Sequence, residues 1–221
     1  MSLEKEIISE FHDFRDSLIE RDLLIDSNDL HCFHSKNSNI LSWEKNAKLS
    51  YLFENYSTIA QFQMILEKRD FNFCMYDGGI IQIYYDLREG EIYRHRLCYV
   101  PCPFQYSSDE WSGLSLGEIP EIMGVNDFIS TARLSSPVRF DFDAKMTDKK
   151  HAHSHFSFNS QSCRIPAYGP VSLGHFFRFI MRYFYELDFD SHSCWEDIKP
   201  KKFKRTLDNF IPHEFHIDTS W

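Results

Sequence analysis

In "LEKEIISEFHDFRDSLIERDLL" the apolar residues Ile7, Phe11, Phe14 and Leu18 recur every three or four positions, with charged residues between them. That spacing gathers them on one side of a helix, so the pattern predicts an amphipathic first helix. The Ser- and Asn-rich stretch "DSNDLHCFHSKNSNI" then reads as a loop, and "STIAQFQMILEK", Ser57 to Lys68, as a second helix. Next the period falls to two. Phe71 to Tyr76, Ile80 to Leu87 and Glu91 to Val100 read as three strands, joined by the hairpin-turn signals "DGG" and "REGE". Pro101 and Pro103 close this antiparallel meander, because proline cannot donate to a ladder.

Residues 107–135 are irregular with short helical pieces, and Pro137 precedes a fresh strand. The segment "VSLGHFFRFIMRYFYEL" predicts a helix over 171–187 with Ser172 as its N-cap. The expected fold class is α+β: N-terminal helices, a central antiparallel sheet made of the meander plus a hairpin, and a C-terminal helix packed on that sheet. One domain is expected over 1–221, with a mainly helical part (1–68), a sheet and helix core (70–187) and a short, partly basic tail (188–221).

The hairpin lies in "VRFDFDAKMTDKKHAHSHFSFN". Alternate strand residues share a face, so Arg139, Asp141 and Asp143 oppose Val138, Phe140 and Phe142. The same rule sets His151, His153 and His155 apart from Ala152, Ser154 and Phe156. With "AKMTDKK" as the connection, the expected register pairs Asp143 with His151, Asp141 with His153 and Arg139 with His155.

Such a cluster has two chemical uses. His151, His153, His155 and Asp141 form a candidate set for a divalent metal such as zinc, manganese or magnesium, or for iron. Alternatively, the histidines act as acid and base, Asp141 and Asp143 orient them, and Arg139 and Arg164 neutralise a phosphate. His175, Arg178 and Arg182, three and four apart on the predicted helix, are candidate substrate-binding residues. Cys163 is a weaker candidate nucleophile, since cysteine is more often a small buried hydrophobe. The bland reading of the whole cluster is a polar network that fixes the sheet.

Composition narrows the picture. With 33 acidic and 24 basic residues the net charge is -9, which excludes broad electrostatic adhesion to nucleic acid but leaves local patches such as "KPKKFKR" at 199–205. The six cysteines lack C-x-x-C spacing, so neither a disulfide framework nor a zinc knuckle is expected. "HCFH" at 31–34 looks like a ligand pair without a second pair, and a loop or packing role is expected for it; "PHEFH" at 212–216 reads as terminal polar sequence. No nucleotide-binding glycine loop and no G-x-S-x-G is present. The charged N-terminus and the absence of any apolar run near the roughly 18 residues of a membrane span lead to the expectation of a soluble, cytoplasmic protein with no membrane partner.

The segments "RFDFD", "HAHSHFSF", "CRIP", "GP" and "FFRFIMRYFY" together resemble an uncharacterised bacterial family, domain of unknown function 2290 (DUF2290). The positions carrying that resemblance are Arg139, Asp141, His151, Ser154, His155, Cys163, Arg164, Pro166, Phe184 and Tyr185, within residues 138–185. Ala152 stands where that pattern has proline, and His153 is additional. A looser similarity to small toxins of toxin–antitoxin systems points toward nuclease or defence roles. The resulting expectation is an intracellular nuclease or phosphodiesterase acting on nucleic acid, with a partner protein such as an ATPase. The alternatives are a non-enzymatic interaction or regulatory subunit, and a metal-dependent hydrolase of a small molecule.

Overall fold

The computed structural model describes residues 1–45, 47, 58–106, 116–146, 153–158, 163–191, 195, 201–204, 206 and 217. Helix α1 (Leu3–Ile19) buries Leu3, Ile7, Phe11, Phe14 and Leu18, the face its periodicity implies. Three four-residue strands follow, β1 (Leu24–Ser27), β2 (His31–His34) and β3 (Asn39–Ser42); β2 lies within the stretch expected to loop, and β1 and β3 overlap its ends. β2 and β3 pair as a hairpin, closed where Ser35 N–H donates to Ser38 O at 2.8 Å. Polar composition hid these strands, because each is only four residues long and is defined by its ladder partners rather than by apolar alternation.

Helix α2 (Thr58–Lys68) follows, then β4 (Phe73–Met75), β5 (Ile80–Arg88) and β6 (Glu91–Val100), the predicted meander. Glu89 and Gly90, at φ 52° and 82°, form the turn between β5 and β6. Two successive positive φ values give a turn whose twist matches that of the strands, and glycine takes the second without a Cβ penalty. Two short helices, α3 (Ile119–Ile122) and α4 (Val125–Thr131), precede β7 (Val138–Asp143), β8 (Ser154–Phe158) and β9 (Arg164–Pro166). Helix α5 (Leu173–Phe184) starts at Ser172, whose Oγ accepts from His175 N–H at 3.2 Å. It ends where Tyr185 leaves helical geometry (φ -130°, ψ 47°), so the single helix expected over 171–187 becomes α5 and a short α6 (Glu186–Asp190).

All nine strands belong to one antiparallel sheet in the order β1-β4-β5-β6-β7-β8-β9, with the β2–β3 hairpin joined to it through β3 and β5. β5 pairs with β6 along its length, while its other edge meets β4 at its start and β3 at its end. The architecture is α+β. One sheet face, carrying Ile81, Ile83, Tyr85, Leu97, Tyr99, Val138, Phe140 and Phe142, packs under α1 and α5. Phe14 stacks on Phe177 at 4.2 Å, and Phe140 meets Phe176 and Phe179 edge-on. The other face has an apolar end, where Cys74, Ile80, Cys98 and Val100 pack with Phe62 and Ile65 of α2.

The tail is tied back onto this body. Ile217 pairs in parallel with Ala167, and Trp195 is buried. Within the basic run, Lys201 pairs with Glu6 and Phe203 packs on the core, so neither supports a free nucleic-acid stripe. Lys199, Arg205 and the "PHEFH" segment lie outside the described residues.

Candidate functional site

The second sheet face carries three ladder rows rich in polar side chains, because residues directly opposite in an antiparallel pair point the same way. The first row runs Gln82, Cys98, Arg139, Ser157, Arg164; the second runs Tyr84, Arg96, Asp141, His155, Pro166. The third contains Asp86, Arg94 and Asp143, and Asp143 N–H donates to His153 O at 2.9 Å, which brings His153 to its end.

Asp141 is the hub. Its Oδ1 accepts from Arg96 Nε at 2.7 Å, its Oδ2 accepts from Arg139 Nε, and His155 Nε2 lies 3.5 Å from the same Oδ2. The hub is buried: Arg139 is 4% exposed, Asp141 8% and His155 7%. Burial opposes the charged carboxylate, yet Arg96 and Arg139 outweigh it and hold the Asp141 carboxyl below its usual range. Around this hub the ion pairs become more exposed to solvent. Arg94 pairs with Asp143 at 2.5 Å and Arg88 with Asp86 at 2.9 Å, and both arginines are well exposed.

Two donors in the first row lack acceptors among the described residues. Ser157 Oγ and Arg164 Nε are buried without hydrogen-bond partners, and they belong to directly paired residues of β8 and β9. Buried donors are normally satisfied, which sets this adjacent pair apart within the row.

The hairpin and its shared polar face are as expected, but the register differs by two residues. Asp141 faces His155 rather than His153, Arg139 faces Ser157 rather than His155, and Asp143 adjoins His153 rather than His151. A two-residue slip keeps every side chain on its own face, so alternation cannot detect it. Two hydrogen bonds end β7 at Asp143: its O accepts from Met146 N–H and its Oδ1 from Lys145 N–H. His151 lies outside the described residues.

His175, Arg178 and Arg182 do not join the cluster. They belong to α5, which covers the Phe140 face of the sheet, opposite Arg139 and Asp141. His175 is buried with its Nδ1 3.0 Å from Ser172 Oγ, a helix-start contact, and exposed Arg182 lies over the Phe189 ring. Cys163 is exposed just before β9.

The expected metal set also loses its carboxylate, since both Asp141 oxygens are engaged by guanidinium groups whose charge repels a cation. Arg94 and Arg96 were absent from the expected site, although the alternation "YRHRLCY" on a predicted strand was a usable signal. Between them on the opposite face sits His95, buried and neutral, its pKa pulled down to about 4 by burial while its Nε2 accepts from Val171 N–H at 2.9 Å.

Fold and site together define an α+β protein with a nine-stranded sheet whose second face gathers arginines around one Asp–His pair. The chain belongs to the family described as uncharacterized conserved protein (DUF2290), whose model matches residues 23–219. No curated protein and no solved structure matches it. No helix among the described residues is long and apolar enough to cross a membrane.

Proposed function

We propose that the polar sheet face binds a phosphodiester and hydrolyses it, making this chain a nuclease or phosphodiesterase. The observation that carries the reading is the pair of buried, unsatisfied donors at Ser157 and Arg164, one ladder row from Asp141 and His155. A phosphate oxygen accepts from both, and arginine suits it because its fork of donors matches a tetrahedral anion. Asp141 and His155 then supply the chemistry. The carboxylate orients the imidazole and stabilises its protonated form, so that it can protonate the leaving oxygen. His153 sits two residues away on the same side, about 7 Å distant by strand geometry, and takes the proton of the attacking water or hydroxyl. Arg96 and Arg139 keep Asp141 charged and add positive potential at the phosphate. A role in defence or toxin systems rests on the looser sequence similarity to small toxins.

A second reading is favoured by one observation, the near-complete burial of Arg139 and Asp141. In that reading the network only fixes the sheet, and the protein is a non-enzymatic interaction subunit. Cleavage of RNA, single-stranded DNA and duplex DNA by the purified chain, with and without chelator, separates the two. The hydrolase reading expects cleavage of at least one substrate, retained with chelator and lost in a folded His155→Ala variant. Cleavage of none, or cleavage unchanged in His155→Ala, contradicts it.

A further inference from the structure

The segment "HCFH", which offers only one ligand pair along the chain, gains a third ligand from a distant helix. On β2, Cys32 and His34 share one face while His31 and Phe33 take the other. The first turn of α1 brings Glu4 beside them, held there by Asn39 of β3, whose Nδ2 donates to Glu4 Oε2 at 2.8 Å. One ligand atom from each of Glu4, Cys32 and His34 lies within 4.8 Å of the other two.

We propose that Glu4, Cys32 and His34 bind a borderline-soft divalent cation, zinc foremost. Cys32 Sγ and His34 Nδ1 are 3.7 Å apart. In a tetrahedral zinc site, a thiolate at about 2.3 Å and an imidazole at about 2.0 Å from the ion are about 3.5 Å from each other, so these two atoms already have the required span. In the structure Asn39 Oδ1 accepts from the same imidazole nitrogen at 3.0 Å, so the cation takes the place of that proton when it binds. Thiolate and imidazole select zinc over magnesium or calcium, which prefer oxygen alone. A thiolate and a carboxylate together also balance the ion's two charges. Of the proposed ligands, Glu4 also lines a neighbouring polar cleft of about 730 Å³, together with Lys36, Asn39 and Arg88. It is built on α1 and the β2–β3 hairpin, apart from the Arg139–Asp141–His155 face, and stands or falls independently of the hydrolase reading.

The test is titration of the metal-stripped full chain with cobalt(II), followed by the thiolate-to-cobalt charge-transfer absorption and then by displacement with zinc. One equivalent is expected, with the absorption abolished in Cys32→Ser. His34→Ala and Glu4→Gln should each weaken affinity about 10-fold or more, by analogy with the effect of losing groups that support a metal. His155→Ala should leave the titration unchanged. Circular dichroism of each variant separates ligand loss from unfolding, and the partial exposure of Glu4 and exposure of His34 make folded variants expected. Absence of the charge-transfer band, or a band of equal strength in folded Cys32→Ser, overturns the proposal.

Discussion

The two faces of the strands β6, β7 and β8 bury polar groups in opposite ways. Under α5, His95 is surrounded by Tyr85 and Phe142 and stays neutral, its one charged form excluded by burial. On the reverse side, one residue away along each strand, Arg96, Arg139 and Asp141 stay charged because each is balanced by a neighbour. A face covered by a helix tolerates a titratable group only by discharging it. A face built from alternating charges keeps them by pairing each with a neighbour.

The largest break in this comparison is Asp141→Asn. It leaves two guanidinium groups of the network without their shared counter-charge, and a loss of about 3–5 kcal/mol in denaturant unfolding is expected. A loss below about 1 kcal/mol would mean that the network does not hold the sheet.

A second prediction concerns pH. His95 falls from 6.5 to about 4 on folding, so its contribution is complete above pH 6.5 and is lost as pH drops toward 4. Glu10 of α1 runs the other way: burial, reinforced by the Glu6 carboxylate, raises it from 4.5 to about 7, so its contribution is complete below pH 4.5 and is lost as pH rises to 7. Between about pH 4.5 and 6.5 the two slopes oppose each other, and the wild-type Tm contribution from this pair should be nearly flat. Glu10→Gln removes one slope, so its stability should fall with acidification by up to about 1.4 kcal/mol per pH unit more than that of the wild type. Parallel profiles for the two proteins would contradict these assignments.

Smaller effects follow at the edges of the two faces. Ser172→Ala removes the N-cap of α5 and should cost about 1 kcal/mol by thermal or chemical unfolding. Arg94→Ala breaks an ion pair whose arginine is half exposed, and a cost below about 1 kcal/mol, shrinking with added salt, is expected. A larger cost would extend the buried network to the third ladder row.

The contrast between faces also explains what the sequence makes legible. Period two along Val138–Asp143 separates Phe140 from Arg139 and Asp141 by alternation alone, so the strand, its faces and most cluster members can be read directly from the chain. The register cannot, since sliding β8 by two residues leaves the alternation unchanged. Nor can the placement of His175, Arg178 and Arg182. An amphipathic helix declares its apolar side but not which side of a sheet it will cover, and α5 lies on the face with Phe140. β9 gives no warning because three residues ending in proline carry almost no periodic signal, yet Arg164 reaches the site only through its pairing with Ser157. The zinc-like group at Glu4, Cys32 and His34 requires a contact across 28 residues that no local pattern encodes.

The central claim is that the charged face receives a phosphodiester, and Arg164 tests it most directly. Its Nε is buried without a partner among the described residues, so Arg164→Ala removes the proposed phosphate contact without breaking a hydrogen bond of that atom within the protein. The measurement is binding of a labelled oligonucleotide to wild type and Arg164→Ala over a range of salt, with Tm recorded for both. The account predicts an unchanged or raised Tm, weaker binding, and a salt dependence shallower by about one phosphate contact. Equal affinity and equal salt dependence in the two proteins, or no binding by wild type at any salt, would contradict it.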